Sequence, residues 1–124
     1  MLALQFLEHD NFEVETYTTG ELCVKNLAHN PDIIILDYHL NSIVENAMTG
    51  IETMDKINSL NANFPIIMLS SQDEIEVAVN CLRHKAVDYV VKNETAFPRL
   101  QKIITDIISN QKMEKKLNWF KDRM

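Results

Sequence analysis

The chain has 124 residues, 46% of them apolar and 24% charged, with a formal net charge of −6. This is the composition of one globular domain with room for a core, not of a disordered or fibrous chain. No apolar run approaches the roughly 18 residues of a membrane span, and an acidic body argues against a nucleic-acid surface, because phosphates would be repelled.

Strand-like and helix-like segments alternate along the chain, the pattern of an α/β fold with a parallel sheet. Residues 2–9 read as helical. Met1-Leu2-Ala3-Leu4 has no basic flank and does not read as a signal peptide. Glu13–Tyr17 alternates and predicts a short strand. Thr18 opens a helix to about Asn30. The run Ile33-Ile34-Ile35-Leu36, apolar on every side, predicts a strand buried on both faces over 32–37. A polar loop follows to about Met48, and a helix opens at Thr49. Pro65 precedes a strand over 66–70, and a helix from Ser71 reaches about His84. The last strand spans 87–91. A long helix starts near Thr95, with Pro98 in its first turn, where the missing donor costs nothing.

Three helix starts carry the Ser/Thr-x-x-Glu capping box: Thr18 with Glu21, Thr49 with Glu52, and Ser71 with Glu74. These are fold signals without chemistry. Cys23 and Cys81 fall among apolar neighbours in predicted helices, as reduced, packed thiols of a cytoplasmic protein. Four histidines are present, and no pair of them has zinc spacing on one helix; all four are expected to be exposed.

Three polar residues close three apolar runs. Asp37 ends the first, Ser70 follows Ile66-Ile67-Met68-Leu69, and Lys92 follows Tyr89-Val90-Val91. Open α/β sheets bind ligands at the carboxyl ends of their strands. An acid, a hydroxyl and an ammonium at three successive strand ends make a phosphoryl-accepting site.

The stretches IIILDYHL (33–40), MTGIETMDKI (48–57), FPIIMLSSQDE (64–74) and AVDYVVKNE (86–94) together resemble the receiver domain of bacterial two-component response regulators, the family of the chemotaxis response regulator. That resemblance implies a flavodoxin-like, doubly wound parallel sheet in three α/β/α layers. It implies that Asp37 accepts a phosphoryl group from a sensor histidine kinase or phosphotransfer protein, that Ser70 and Lys92 bind the phosphoryl oxygens, and that Tyr89 is the aromatic switch. The backbone carbonyl of His39 would join Asp37 as a ligand of Mg²⁺. The receiver region is expected over 1–110, with 111–124 a helical extension or linker.

The chain departs from the family in ways that carry expectations of their own. The family's first strand and the acidic pair at its end have no counterpart, so the receiver is expected to be N-terminally incomplete. Glu8 and Asp10 fall at the wrong end of their helix to replace the pair. Weakened Mg²⁺ binding and slow phosphorylation should follow. The sheet is expected either to close the 13–17 strand directly onto 32–37 or to pair with a second chain, giving a homodimer. The segment 41–48 inserts beside Asp37. A degenerate interaction module that works without phosphorylation is the alternative.

An enzyme is not expected. A phosphatase of the haloacid dehalogenase type would want an acid where His39 stands. A flavodoxin would want a phosphate loop rich in Ser, Thr or Gly, and the chain has two glycines. The last helix carries a core stripe of Leu100, Ile103, Ile104, Ile107 and Ile108. The basic tail beyond it carries a broken seam of Met113, Leu117, Phe120 and Met124, too irregular for a coiled coil.

Overall fold

The apolar run 66–69 lies at the centre of the sheet. Ile66, Ile67 and Met68 have no solvent exposure, because their strand is flanked on both sides and covered on both faces. The structure, a computed structural model, describes residues 13–39, 46–71 and 75–123. Its elements are α1 (Gly20–Lys25), a 3-10 turn (Leu27–His29), β1 (Ile34–Asp37), α2 (Gly50–Leu60), β2 (Ile66–Ser70), α3 (Ile75–Arg83), β3 (Asp88–Val91) and α4 (Ala96–Arg123). The helix expected over 2–9, with Glu8, His9 and Asp10, lies outside the described residues.

The three strands run parallel in the order β1-β2-β3. Alternation of side chains sends them to two separate cores. Ile34, Leu36, Ile66, Met68 and Tyr89 pack on one face with Met54 and Ile57 of α2 and Val77 and Cys81 of α3. Ile67 and Val90 pack on the other face with Ala96, Leu100 and Ile104 of α4, flanked by Ile103, Ile107 and Ile108. The stripe read from the sequence of the last helix is thus its core face. The layers are helices, sheet, helix, as the flavodoxin-like reading requires.

The capping box at Thr49 forms in full: the hydroxyl accepts from Glu52 N at 3.1 Å, and the Glu52 carboxylate accepts from Thr49 N at 3.0 Å. Thr49→Ala should therefore cost about 1 kcal/mol in a denaturant-unfolding experiment. At α1 the expectation is corrected by one residue. Thr19, not Thr18, is the cap, its hydroxyl accepting from Leu22 N at 3.2 Å. Glu21 does not reach back; its carboxylate accepts from Met48 N, 27 positions along the chain, at 2.7 Å. The third box includes residues outside the described set.

Glu13–Tyr17 is also a correction. It forms no strand, since no ladder partner lies beside it among the described residues. The 13–17 segment therefore does not close onto β1. Side-chain contacts hold the segment in place. Val14 packs in the α4-side core, and Glu15 accepts from the Tyr17 hydroxyl and pairs with His29 Nδ1 at 2.8 Å. The His29 contact holds the Glu15 carboxyl below its ordinary value. The bond to Glu15 pushes the Tyr17 phenol up to about 12. A raised acid pKa means the contact is intact below the ordinary phenol value of 10 and is lost as pH rises through the raised one. Ultraviolet titration of the chain minus that of Tyr17→Phe should place this phenolate step near 12, and Glu15→Gln should return it towards 10.

His84, like the half-buried His39, corrects the expectation of four exposed histidines. It is half-buried, its Nδ1 lies 2.8 Å from Asp55 Oδ1, and its carbonyl accepts from Asn58. These contacts tie the end of α3 to α2.

Candidate functional site

β1, β2 and β3 end side by side, and the three polar residues follow from that register. Asp37 is paired with Leu69 across the first ladder, and Ser70 with Val91 across the second. Each strand's last polar residue therefore emerges at one rim. The ammonium of Lys92 forms an ion pair with Asp37 Oδ2 across 55 residues of sequence. Lys92 N also donates to the Ser70 carbonyl at 2.7 Å, which fixes the start of the loop after β3 against the end of β2. Ser70 is fully buried, whereas the Asp37 and Lys92 side chains are 35% and 39% exposed. The acid is thus open to an incoming group, with the hydroxyl-bearing residue set behind it.

The remaining Asp37 oxygen is engaged as well. Oδ1 accepts from His39 N at 2.9 Å, a turn that aims the carboxylate along the rim. The Asp37 backbone is clamped from the other side. Gly50, the first residue of α2, lies so close that a Cβ there would stand 2.4 Å from the Asp37 carbonyl oxygen and 2.9 Å from Tyr38 Cα. Only a residue without a side chain lets α2 begin at this point. The His39 ring meets Tyr38 edge-on at 5.1 Å between centroids and is half-buried at the rim.

Tyr89 is buried in the core between β3 and α3, at 9% exposure. Its ring lies inward, not on a half-buried surface. Burial pushes the Cys23 and Cys81 thiols above their ordinary pKa, which disfavours their thiolate forms.

The residues that sequence reasoning missed are the supports. Glu21 holds Met48, and so the exit of the loop that leaves Asp37. Gly50 closes on Asp37. A Glu in a capping-box pattern gave no sign that its partner lay elsewhere. The Gly of Thr-Gly-Ile-Glu gave no local sign of its constraint, which comes from the Asp37 carbonyl and Tyr38 Cα 12 to 13 positions earlier.

The fold is thus of the α/β class with parallel strands, and it carries an acid, a buried hydroxyl residue and a lysine at adjacent strand ends. The family model of the response regulator receiver domain matches residues 1–105, and the chain belongs to this family. It is 28% identical over 81 residues to the luminescence regulatory protein LuxO of Vibrio campbellii, covering 64% of this chain and 17% of that protein. It is 35% identical over 104 residues to a protein-glutamate methylesterase/protein-glutamine glutaminase of Clostridium acetobutylicum, covering 81% and 28%. The solved signal receiver domain of a Luxo repressor protein from Vibrio parahaemolyticus aligns with a TM-score of 0.78 at 23% identity, over 94% of this chain and 85% of that one. The chain spans less than a third of the length of either curated relative. No described helix is long and apolar enough to cross a membrane.

Receiver domains are modules of two-component signalling and generally bind Mg²⁺. The described residues do not fit that ion. No group of three His, Cys, Asp or Glu side chains able to hold a metal is present among them. Both Asp37 oxygens already have partners, one of them a cation. Mg²⁺ favours near-octahedral oxygen ligation with carboxylates supplying charge, and a lone, lysine-paired aspartate is a poor start.

Proposed function

We propose that Asp37 is the phosphoacceptor of this receiver domain, taking the group from a histidine kinase or phosphotransfer protein of a cytoplasmic relay. The Asp37–Lys92 ion pair at the strand-end rim is the observation that carries the reading. One carboxylate oxygen attacks phosphorus, the bond from phosphorus to the donor nitrogen breaks, and an acyl phosphate forms. Charge builds on the equatorial phosphoryl oxygens in the loose transition state. Lys92, already at Oδ2, balances one of them as a compact point charge. Ser70 donates to another, which draws the end of β2 towards the site. Tyr89 packs beside that strand and transmits the movement to α3. With a single acid described at the rim, transfer is slow.

Mass spectrometry of the chain after incubation with acetyl phosphate tests this. One phosphoryl group should accumulate slowly on the peptide containing Asp37. Labelling elsewhere, or none with any donor, would sink the acceptor role. The second outcome would instead favour the degenerate interaction module, which the lack of a described metal-binding group also supports.

A further inference from the structure

The loop that leaves Asp37 returns through three successive backbone N–H groups, and each is taken by a different partner. Gly50 N donates to the Tyr38 carbonyl at 3.4 Å, Thr49 N to the Glu52 carboxylate at 3.0 Å, and Met48 N to the Glu21 carboxylate at 2.7 Å. The first bond joins the two ends of the loop at its base. The second belongs to the cap of α2. The third comes from a separate element, the first turn of α1. Just before these donors Asn46 takes a left-handed turn at φ 64°, a conformation that asparagine tolerates better than most side chains.

α1 is itself seated against α2. A Cβ on Gly20 would stand 1.9 Å from Thr53 Oγ1, and Thr53 is fully buried. Thr53 Oγ1 in turn donates to the Thr49 carbonyl at 2.8 Å. This close contact fixes the backbone of Glu21 beside the loop exit, so only its side chain must be ordered to take the Met48 N–H. A carboxylate acceptor makes that bond charge-assisted, about twice as strong as one between neutral groups.

The loop ends bear directly on Asp37. Gly50 lies against the Asp37 carbonyl and Tyr38 Cα, and the Asp37 carboxylate is aimed by the His39 N–H on Oδ1 at 2.9 Å. We propose that Glu21 is a positioning residue for Asp37: by holding Met48 it keeps the loop exit seated on the end of β1 and the carboxylate aimed along the rim. Glu21 acts through Met48 and Gly50 and carries no step of the transfer itself. Its effect on rate rests on Asp37 being the phosphoacceptor, since attack on phosphorus needs a nucleophile held in near-contact geometry. Its effect on the loop does not.

Labelling by acetyl phosphate over a range of donor concentrations, read by mass spectrometry, tests the effect on rate, with urea unfolding as the control for folding. Glu21→Ala removes the acceptor and should slow the rate constant at saturating donor about fivefold, with the half-saturating concentration unchanged. Glu21→Gln keeps an acceptor oxygen and should stay within about twofold of the parent, which separates the bond from the charge. Amide exchange without donor gives a second readout: the Met48 and His39 amides should exchange faster in Glu21→Ala. Labelling of Glu21→Ala at the parent rate, equal slowing in both variants, or unchanged His39 exchange in Glu21→Ala would overturn the proposal while leaving Asp37 as the acceptor. A parent chain that takes no label on Asp37 would sink the acceptor reading instead, and His39 exchange would then decide the positioning role by itself.

Discussion

Asp37→Asn should reduce phosphoryl labelling to background while leaving the fold in place. The amide offers no anionic oxygen to attack phosphorus and cannot form the acyl phosphate. The structural cost is small. The Asp37–Lys92 pair is over a third exposed on both sides, and such pairs contribute about 1 kcal/mol or less. The amide oxygen of Asn can still accept from His39 N, so the turn after β1 survives. Unfolding midpoints of the two chains should nearly coincide while their labelling differs completely. Labelling of the variant at the parent rate would remove Asp37 from the chemistry.

Gly50→Ala should be the most damaging single-methyl change near the site, destabilising by about 3 kcal/mol. Two effects compete at this position. Alanine favours the helix over glycine by about 1 kcal/mol. Against that, the added carbon would stand 2.4 Å from the Asp37 carbonyl oxygen and 2.9 Å from Tyr38 Cα. Both are backbone atoms of the strand end and cannot turn aside, unlike the third neighbour, the Met68 methyl group. The clash therefore wins, and α2 must withdraw from β1. Phosphoryl labelling should fall as well, measured under conditions where the variant is still folded, because the same shift moves the Asp37 backbone. A variant as stable as the parent in urea would show that the contact yields more easily than the geometry implies.

Much of this site was legible because its residues sit at the ends of local patterns. The apolar runs around 34–36, 66–69 and 89–91 mark strands by themselves, and the polar residue closing each run needs no distant partner to be noticed. The Thr49 box was legible for the same reason, since both of its hydrogen bonds close within three residues. The failures share the opposite property. Glu13–Tyr17 has a strand's alternation, yet a strand exists only when another lends it hydrogen bonds. Glu21 fits a capping pattern but bonds to Met48. His84 looked solvated and is held by Asp55, 29 positions earlier. The run around Ile35 read as buried on both faces, and its place at the sheet edge left Ile35 partly exposed.

The order of strands and helices from Gly20 onward, the acid, hydroxyl and ammonium at three strand ends, and the cap at Thr49 were determined by sequence alone. They follow from side-chain periodicity and from interactions spanning a few residues. Which Asp37 oxygen meets Lys92, that Gly50 must lack a side chain, and that Glu21 holds Met48 were decided by the tertiary structure. Each depends on groups far apart in the chain being brought within a few ångströms, and no local pattern encodes that distance.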